Sequence, residues 1–162
     1  MALVWNQGRE TVQAMLRDGT LELLPANRGH AELLLKQARQ HLESANVRAE
    51  PDPEGAYAML YDSVRKALTA VLENQGLRAR GGTAHHASLY FAVVAQLDPP
   101  LEPVLAPFQR MRQRRRQAEY PSHDGPGISS LDVYEDSAPA REIVAICQRV
   151  LDEMPPFKPG RE

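Results

Sequence analysis

The residues richest in chemistry lie in RMRQRRRQAEYPSH, from Arg110 to His123. Five arginines, Arg110, Arg112, Arg114, Arg115 and Arg116, fall within seven positions, followed by Glu119, Tyr120 and His123. A guanidinium holds a phosphate through two parallel hydrogen bonds. An imidazole titrates near neutrality and moves protons. Together they suit metal-free cleavage of RNA. The histidine takes the 2′-hydroxyl proton or protonates the leaving oxygen, and the arginine stabilises the pentavalent phosphate. Six residues separate Arg116 from His123, so a histidine just past a helix end can swing back to that helix's last turn.

The same stretch also reads as a solvated helix face. Glu119 reaches Arg115 or Arg116 at helical spacing, which contributes about 0.2–0.5 kcal/mol when exposed. Position argues for more. Phe108, Met111, Arg115 and Ala118 are spaced three, four and three apart, so Arg115 falls on the stripe that faces a core or a groove. Arg112, Arg116 and Glu119 share the adjacent face. Against Glu119 the arginines leave four positive charges in excess, which suits phosphates.

The elements that must position these groups read as helices nearly throughout. GRETVQAMLRDG is a short helix closed by Gly19, and TLELLP alternates weakly enough to be extended. A second helix runs from about Arg28 to Ala49, with Ala31, Leu34, Leu35, Ala38, Leu42 and Ala45 on one stripe. Asp52 caps a third helix, Pro53 takes its first position and Gly76 ends it. LRARGGT is expected to be a loop, with Thr83 capping a fourth helix that buries Ala87, Tyr90, Phe91, Val94 and Leu97. The arginine helix starts near Val104 and ends at Tyr120, because Pro121 disfavours helical backbone there. PSHDGPGISS is a loop containing His123. Asp136 or Ser137 caps a last helix running to about Met154. The sequence shows no convincing set of strands.

Short links between long helices favour antiparallel neighbours. The expected fold is all-α, an up-and-down bundle of about four core helices with short accessory helices. One domain over 1–162 is expected, with its core at about 28–154 and a loose tail at 155–162. The net charge of −2 excludes binding nucleic acid over the whole surface and leaves a local patch. The single cysteine, Cys147, excludes an internal disulfide and a cysteine zinc cluster, and reads as a small buried hydrophobe. No apolar run nears the ~20 residues of a membrane span. MALVWNQGRE is too short and polar for a signal peptide, so a cytoplasmic location is expected.

Elsewhere the candidates are fewer. His85 and His86 lack further ligands at metal-binding spacing. Tyr57 and Tyr61 are four apart and suit core packing, with Tyr61 also placed to line a cleft beside the arginines. Asp62 is positioned to orient an arginine. GLRARGGT lacks the spacing and lysine of a phosphate-binding loop. Trp5 anchors the first helix, and His30 and His41 read as helix-surface residues.

Three stretches carry a resemblance to a known family: GAYAMLYDSVRKALTAVLENQGLRAR, GGTAHHASLYFAV and RMRQRRRQAEYP. They resemble the HEPN superfamily, helical bundles of prokaryotic toxin–antitoxin and defence loci, over about Asp52 to His123. The resemblance implies a dimer with both motifs facing one cleft, and a signature of Arg, four to six residues, then His. Arg116 and His123 fit that signature, although Gln117 stands where the family usually has Asn, Asp or His. The family's element of Arg, two residues, Ala, an acid and Tyr instead selects Arg115. His86 matches a family histidine, which implies a structural or dimer-contact role.

The first expectation is a toxin-like, metal-independent endoribonuclease without cofactor. Arg116, Arg115 and His123 would be catalytic, with Arg112, Arg114 and Tyr61 binding RNA phosphate. The alternative is a non-catalytic HEPN module that binds RNA or a partner such as a cognate nucleotidyltransferase antitoxin. In that case Glu119 orients, and Tyr120 is a modification candidate, since such antitoxins act on tyrosines near this motif. A third reading is a plain interaction domain whose arginines hold a dimer through Glu119.

Overall fold

A computed structural model describes residues 5–80 and 85–160. Helix α1 (Arg9–Asp18) ends at Gly19 in left-handed backbone, as the sequence predicts. There follow β1 (Leu21–Leu23), α2 (Arg28–Arg48), α3 (Pro53–Gln75), β2 (Leu77–Ala79), α4 (His85–Leu97), the single turn α5 (Glu102–Leu105), α6 (Pro107–Glu119) and α7 (Ser130–Val150). Thr83 lies outside the described residues.

The fold is an all-α bundle built around α3. That helix starts where Asp52 accepts the Gly55 N–H at 3.0 Å, with Pro53 opening the first turn. Its residues are buried on nearly every side in its second half, from Ala67 to Gln75. A helix buried all round needs neighbours all round, and α2, α7, α6 and α4 supply them. On α2 the expected stripe is buried at Ala31, Leu35, Ala38, Leu42 and Ala45, with Leu34 partly covered. Three of those five are alanines, which let the two helix axes approach closely.

A stack of aromatic rings fixes the arginine helix. Phe108 of α6 is fully buried between Tyr61 of α3, at 5.4 Å between centroids, and Tyr90 of α4, at 5.7 Å. Truncating such a residue costs about 3–5 kcal/mol, so the rotation of α6 about its axis is strongly held.

Several expectations need correction. LRARGGT is not all loop: β2 pairs antiparallel with β1, Leu21 opposite Ala79 and Leu23 opposite Leu77. A three-residue ladder is too short to show as alternation. Gly76 (φ 77°) makes the turn into β2, and a Cβ there would run into the Leu24 carbonyl. On α4, Phe91 is 51% exposed, while Gln96 is buried. The Gln96 side-chain amide pairs with that of Gln75 at 2.6 and 3.1 Å, and the Gln96 backbone carbonyl accepts the Trp5 indole N–H at 2.9 Å. A paired glutamine took a place that the apolar pattern assigned elsewhere.

The arginine helix is broken near its start. α5 is one turn, and Pro107 opens α6 afresh. The last helix is capped by neither Asp136 nor Ser137. Ser129 and Asp132 form a reciprocal capping box, and Asp136 lies fully buried two turns in. α7 ends at Val150, short of Met154. Residues 155–160 are not loose: the Phe157 N–H donates to the Gln75 carbonyl at 2.8 Å, and Arg9 lies 5.0 Å over the Phe157 ring. His41 is half-buried rather than free on the surface, 3.0 Å from Lys66 Nζ and 3.5 Å from Asp62.

Candidate functional site

Helix α6 carries its arginines on two faces. A 100° turn per residue puts Arg110 and Arg114 on one side and Arg112, Arg115 and Arg116 on another, with Phe108 and Met111 facing the core. The buried aromatic stack sets which way each face looks.

The first face closes on one carboxylate. Asp136 of α7 is completely buried. Its Oδ1 accepts from Arg110 Nε at 3.2 Å, and its Oδ2 accepts from Arg114 Nη1 at 2.8 Å and from the Tyr57 hydroxyl at 2.6 Å. Arg114 also lies 3.6 Å from Asp132 and 3.7 Å from Glu135. Burial alone would raise the Asp136 carboxyl, but the Tyr57, Arg110 and Arg114 donors outweigh it and hold it below the usual carboxylate range. Burial, then the hydrogen bond to Asp136, pushes the Tyr57 phenol up.

The second face opens on a cavity of about 370 Å³, lined by Tyr61, His86, Gln109, Arg112, Gln113, Arg115, Arg116, Glu119 and Tyr120. Three guanidinium groups stand there against the carboxylate of Glu119. The Arg115 guanidinium lies 5.4 Å from the centre of the Tyr61 ring and pairs with Glu119 one turn on. Arg112 donates to Gln109 Oε1 at 2.6 Å. Arg116 is exposed, and no acid pairs with it among the described residues. Such a concave, cationic wall suits a phosphodiester; the Tyr61 ring beneath it is buried, stacked on Phe108 and lying under Arg115.

Tyr61 and His86 form the floor. The Tyr61 hydroxyl is 2.7 Å from His86 Nδ1. Burial pushes the Tyr61 phenol up to about 12, so it keeps its proton. Burial, then the Arg65, His85, Arg115 and Arg112 charges, pulls His86 down to about 4. In the absence of an anion the His86 ring is therefore neutral at pH 7.

The expected site residues are thus partly gathered. Arg112, Arg115, Arg116, Tyr61, Glu119 and Tyr120 share the cavity. Arg114 turns the other way, to Asp136. His123 is exposed in the loop after α6 and is not among the cavity's lining residues. Asp62 orients an arginine, but of its own helix: Arg65 Nε donates to it at 2.8 Å. Sequence reasoning missed His86 as a cavity residue and Asp136 as the acid behind the arginines. The four-residue step from Arg110 to Arg114 was the visible sign of a separate face, but nothing in the sequence named its partner. Cys147 is buried, which pushes its thiol up to about 12 and leaves it inert. Among the described residues no cluster of acids, histidines or cysteines is arranged to hold a metal ion, and no helix is long and apolar enough to cross a membrane.

Compared with known families, residues 31–155 match the model described as HEPN domain, a span from the start of α2 past the end of α7. No curated protein and no solved structure matches the chain.

Proposed function

The chain belongs to the HEPN family, and from that premise we propose that it acts on RNA as a dimer, with phosphodiesters held in the α6 cavity. The observation that carries this reading is the sorting of α6: Arg112, Arg115 and Arg116 line one cavity, while the other two arginines are paired with Asp136 on the opposite face. The reaction it supports is metal-independent cleavage. Arg116, helped by Arg115, holds the phosphate. His123 removes the 2′-hydroxyl proton, the 2′-oxygen attacks phosphorus, and the P–O5′ bond breaks as the 5′-oxygen takes a proton from solvent. The products are a 2′,3′-cyclic phosphate and a 5′-hydroxyl. Such an activity would suit a toxin-like role in a toxin–antitoxin locus.

A second reading is favoured by one placement. His123 stands outside the cavity, whereas Tyr120, 74% exposed, stands at its rim. This pattern suits a module that binds RNA without cutting it, or presents Tyr120 to a partner such as a nucleotidyltransferase.

The test is RNA cleavage and RNA binding by purified protein in EDTA, wild type beside Arg116→Ala and His123→Ala. Cleavage lost in both variants supports the nuclease. Binding without cleavage, weakened by Arg116→Ala, supports the binding module. Neither binding nor cleavage by a folded protein rejects both RNA readings.

A further inference from the structure

We propose that His86 is a phosphate-contacting residue of the α6 cavity and takes up a proton as RNA enters, so that RNA binding tightens as pH falls. This rests on the RNA reading above and adds to it a group and a proton that the Arg116–His123 pair does not involve.

The geometry comes first. His86 lies in the first turn of α4 and, among the described residues, is the only histidine lining the cavity. Its ring is tilted 42° to that of Tyr61, with centroids 5.6 Å apart, and Nδ1 is engaged by the Tyr61 hydroxyl at 2.7 Å. Among the described residues no partner is seen for Nε2. The groups around it are mostly cationic. Arg65 and Asp62 face it from α3, His85 flanks it on α4, and Arg112 and Arg115 face it from α6, with Glu119 on the far wall.

Burial and those cations keep the ring neutral while the cavity holds no anion. A phosphodiester reverses the balance, because its negative charge offsets the guanidiniums that oppose protonation. The proton goes to Nδ1. In the neutral pair Tyr61 donates to Nδ1; once Nδ1 carries the proton, it donates to the Tyr61 oxygen instead. Nε2–H is present in both states, but on the protonated ring it becomes a charge-assisted donor to a phosphate oxygen, while the buried Tyr61 hydroxyl accepts from Nδ1–H. One proton taken from solvent thus turns a neutral donor into a cationic one, with no covalent bond between heavy atoms made or broken. Tyr61 keeps its own proton throughout, since burial holds its phenol far above neutrality.

The experiment uses the full chain and a 2′-O-methyl oligouridylate. That probe cannot be cut, and neither its base nor its phosphodiester titrates between pH 6 and 7.5. Calorimetry at one pH in two buffers of different ionisation heat measures proton uptake, and affinity is followed across the same range, which lies above the ordinary carboxylate values. Wild type should take up a proton, with affinity rising as pH falls by at most about tenfold per unit. His86→Asn should abolish the uptake and flatten the profile, while His85→Asn retains both. An NMR titration of the His86 ring, free and RNA-bound, gives the same answer without a variant: the midpoint should rise on binding. Normal RNA binding with no uptake, or uptake that persists in His86→Asn, overturns this inference and leaves the RNA reading standing. No RNA binding by wild type, or binding indifferent to Arg116→Ala, overturns the RNA site and this inference with it.

Discussion

Arg110 and Arg114 lie one turn apart on α6 and end on the same buried carboxylate; Arg112, Arg115 and Arg116, on the next face, end in an open cavity. Residue type and helix are the same. What differs is the opposing wall. On one side α7 supplies Asp136 with Tyr57 behind it, and guanidinium charge is consumed in holding two helices together. On the other side α3 and α4 supply Tyr61 and His86, neither of which is anionic, and the charge stays available. An arginine count therefore says little about anion binding until each guanidinium has been assigned an acid or an opening.

The largest effect that separates the two faces is on stability. Asp136→Ala leaves two guanidiniums and a phenol facing a cavity, and should cost about 3 kcal/mol, at the low end for a broken buried pair. The reason for the low end is that Arg110 is half-exposed and regains water. RNA affinity per folded molecule should stay within about threefold, since none of the three groups lines the α6 cavity. Urea denaturation and RNA titration of one preparation check both. The pH dependence has a definite sign. Asp136 has a folded pKa below its ordinary value, so its contribution is fully present above about pH 4 and is lost as pH falls through the folded pKa. The gap in urea midpoint between wild type and Asp136→Asn should be constant from pH 7 to 5 and close below about 4. A gap that widens on acidification would break the assignment.

The second test inverts the first. Arg115→Ala and Arg116→Ala should each cost under about 1 kcal/mol of stability, because Arg115 loses only an exposed pair with Glu119 and a ring contact, and Arg116 loses less. Each should lower RNA affinity about tenfold across sequences and reduce the single-strand salt slope by about 0.7. Arg110→Ala should do the reverse, losing stability while keeping the slope. If all three substitutions change the slope equally, the two faces are one surface and the comparison fails.

How far this division could be read from sequence follows from the same physics. Local signals were legible. Asp52–Pro53 and Gly76 bound α3, alanine and leucine spacing marked α2, and the spacing of Phe108, Met111, Arg115 and Ala118 gave the inner stripe of α6. Arg112, Arg116 and Glu119 were correctly grouped, because a helix places neighbours by arithmetic. What failed is tertiary. Asp136 is polar and stands near the start of an apolar repeat, where an acid reads as a cap. Only the fold reveals that Ser129 caps the helix and Asp136 is buried. His86 enters the cavity through a contact with a residue 25 positions earlier, which no periodicity encodes. Phe91, expected inside, is exposed, and Gln96 is buried because its amide is satisfied by that of Gln75.

The smallest effect sharpens the comparison most, because it touches the one acid among the described residues that line the cavity. Glu119 holds Arg115 across one turn, with both side chains substantially exposed. Its removal should therefore change stability by less than about 0.5 kcal/mol. Its charge, however, stands in the cavity wall. At about 8 Å in a watery dielectric one charge is worth roughly 0.5 kcal/mol, so Glu119→Gln should raise RNA affinity about twofold at low salt. The gain should vanish as salt is raised, because the Debye length falls to about 8 Å or less at physiological ionic strength and above. Asp132→Asn, which removes an acid from the clamped face, should leave RNA affinity where it is. Equal gains from both substitutions would mean that RNA senses only net charge; a gain from Glu119→Gln alone would locate the bound strand on the face that Asp136 leaves open.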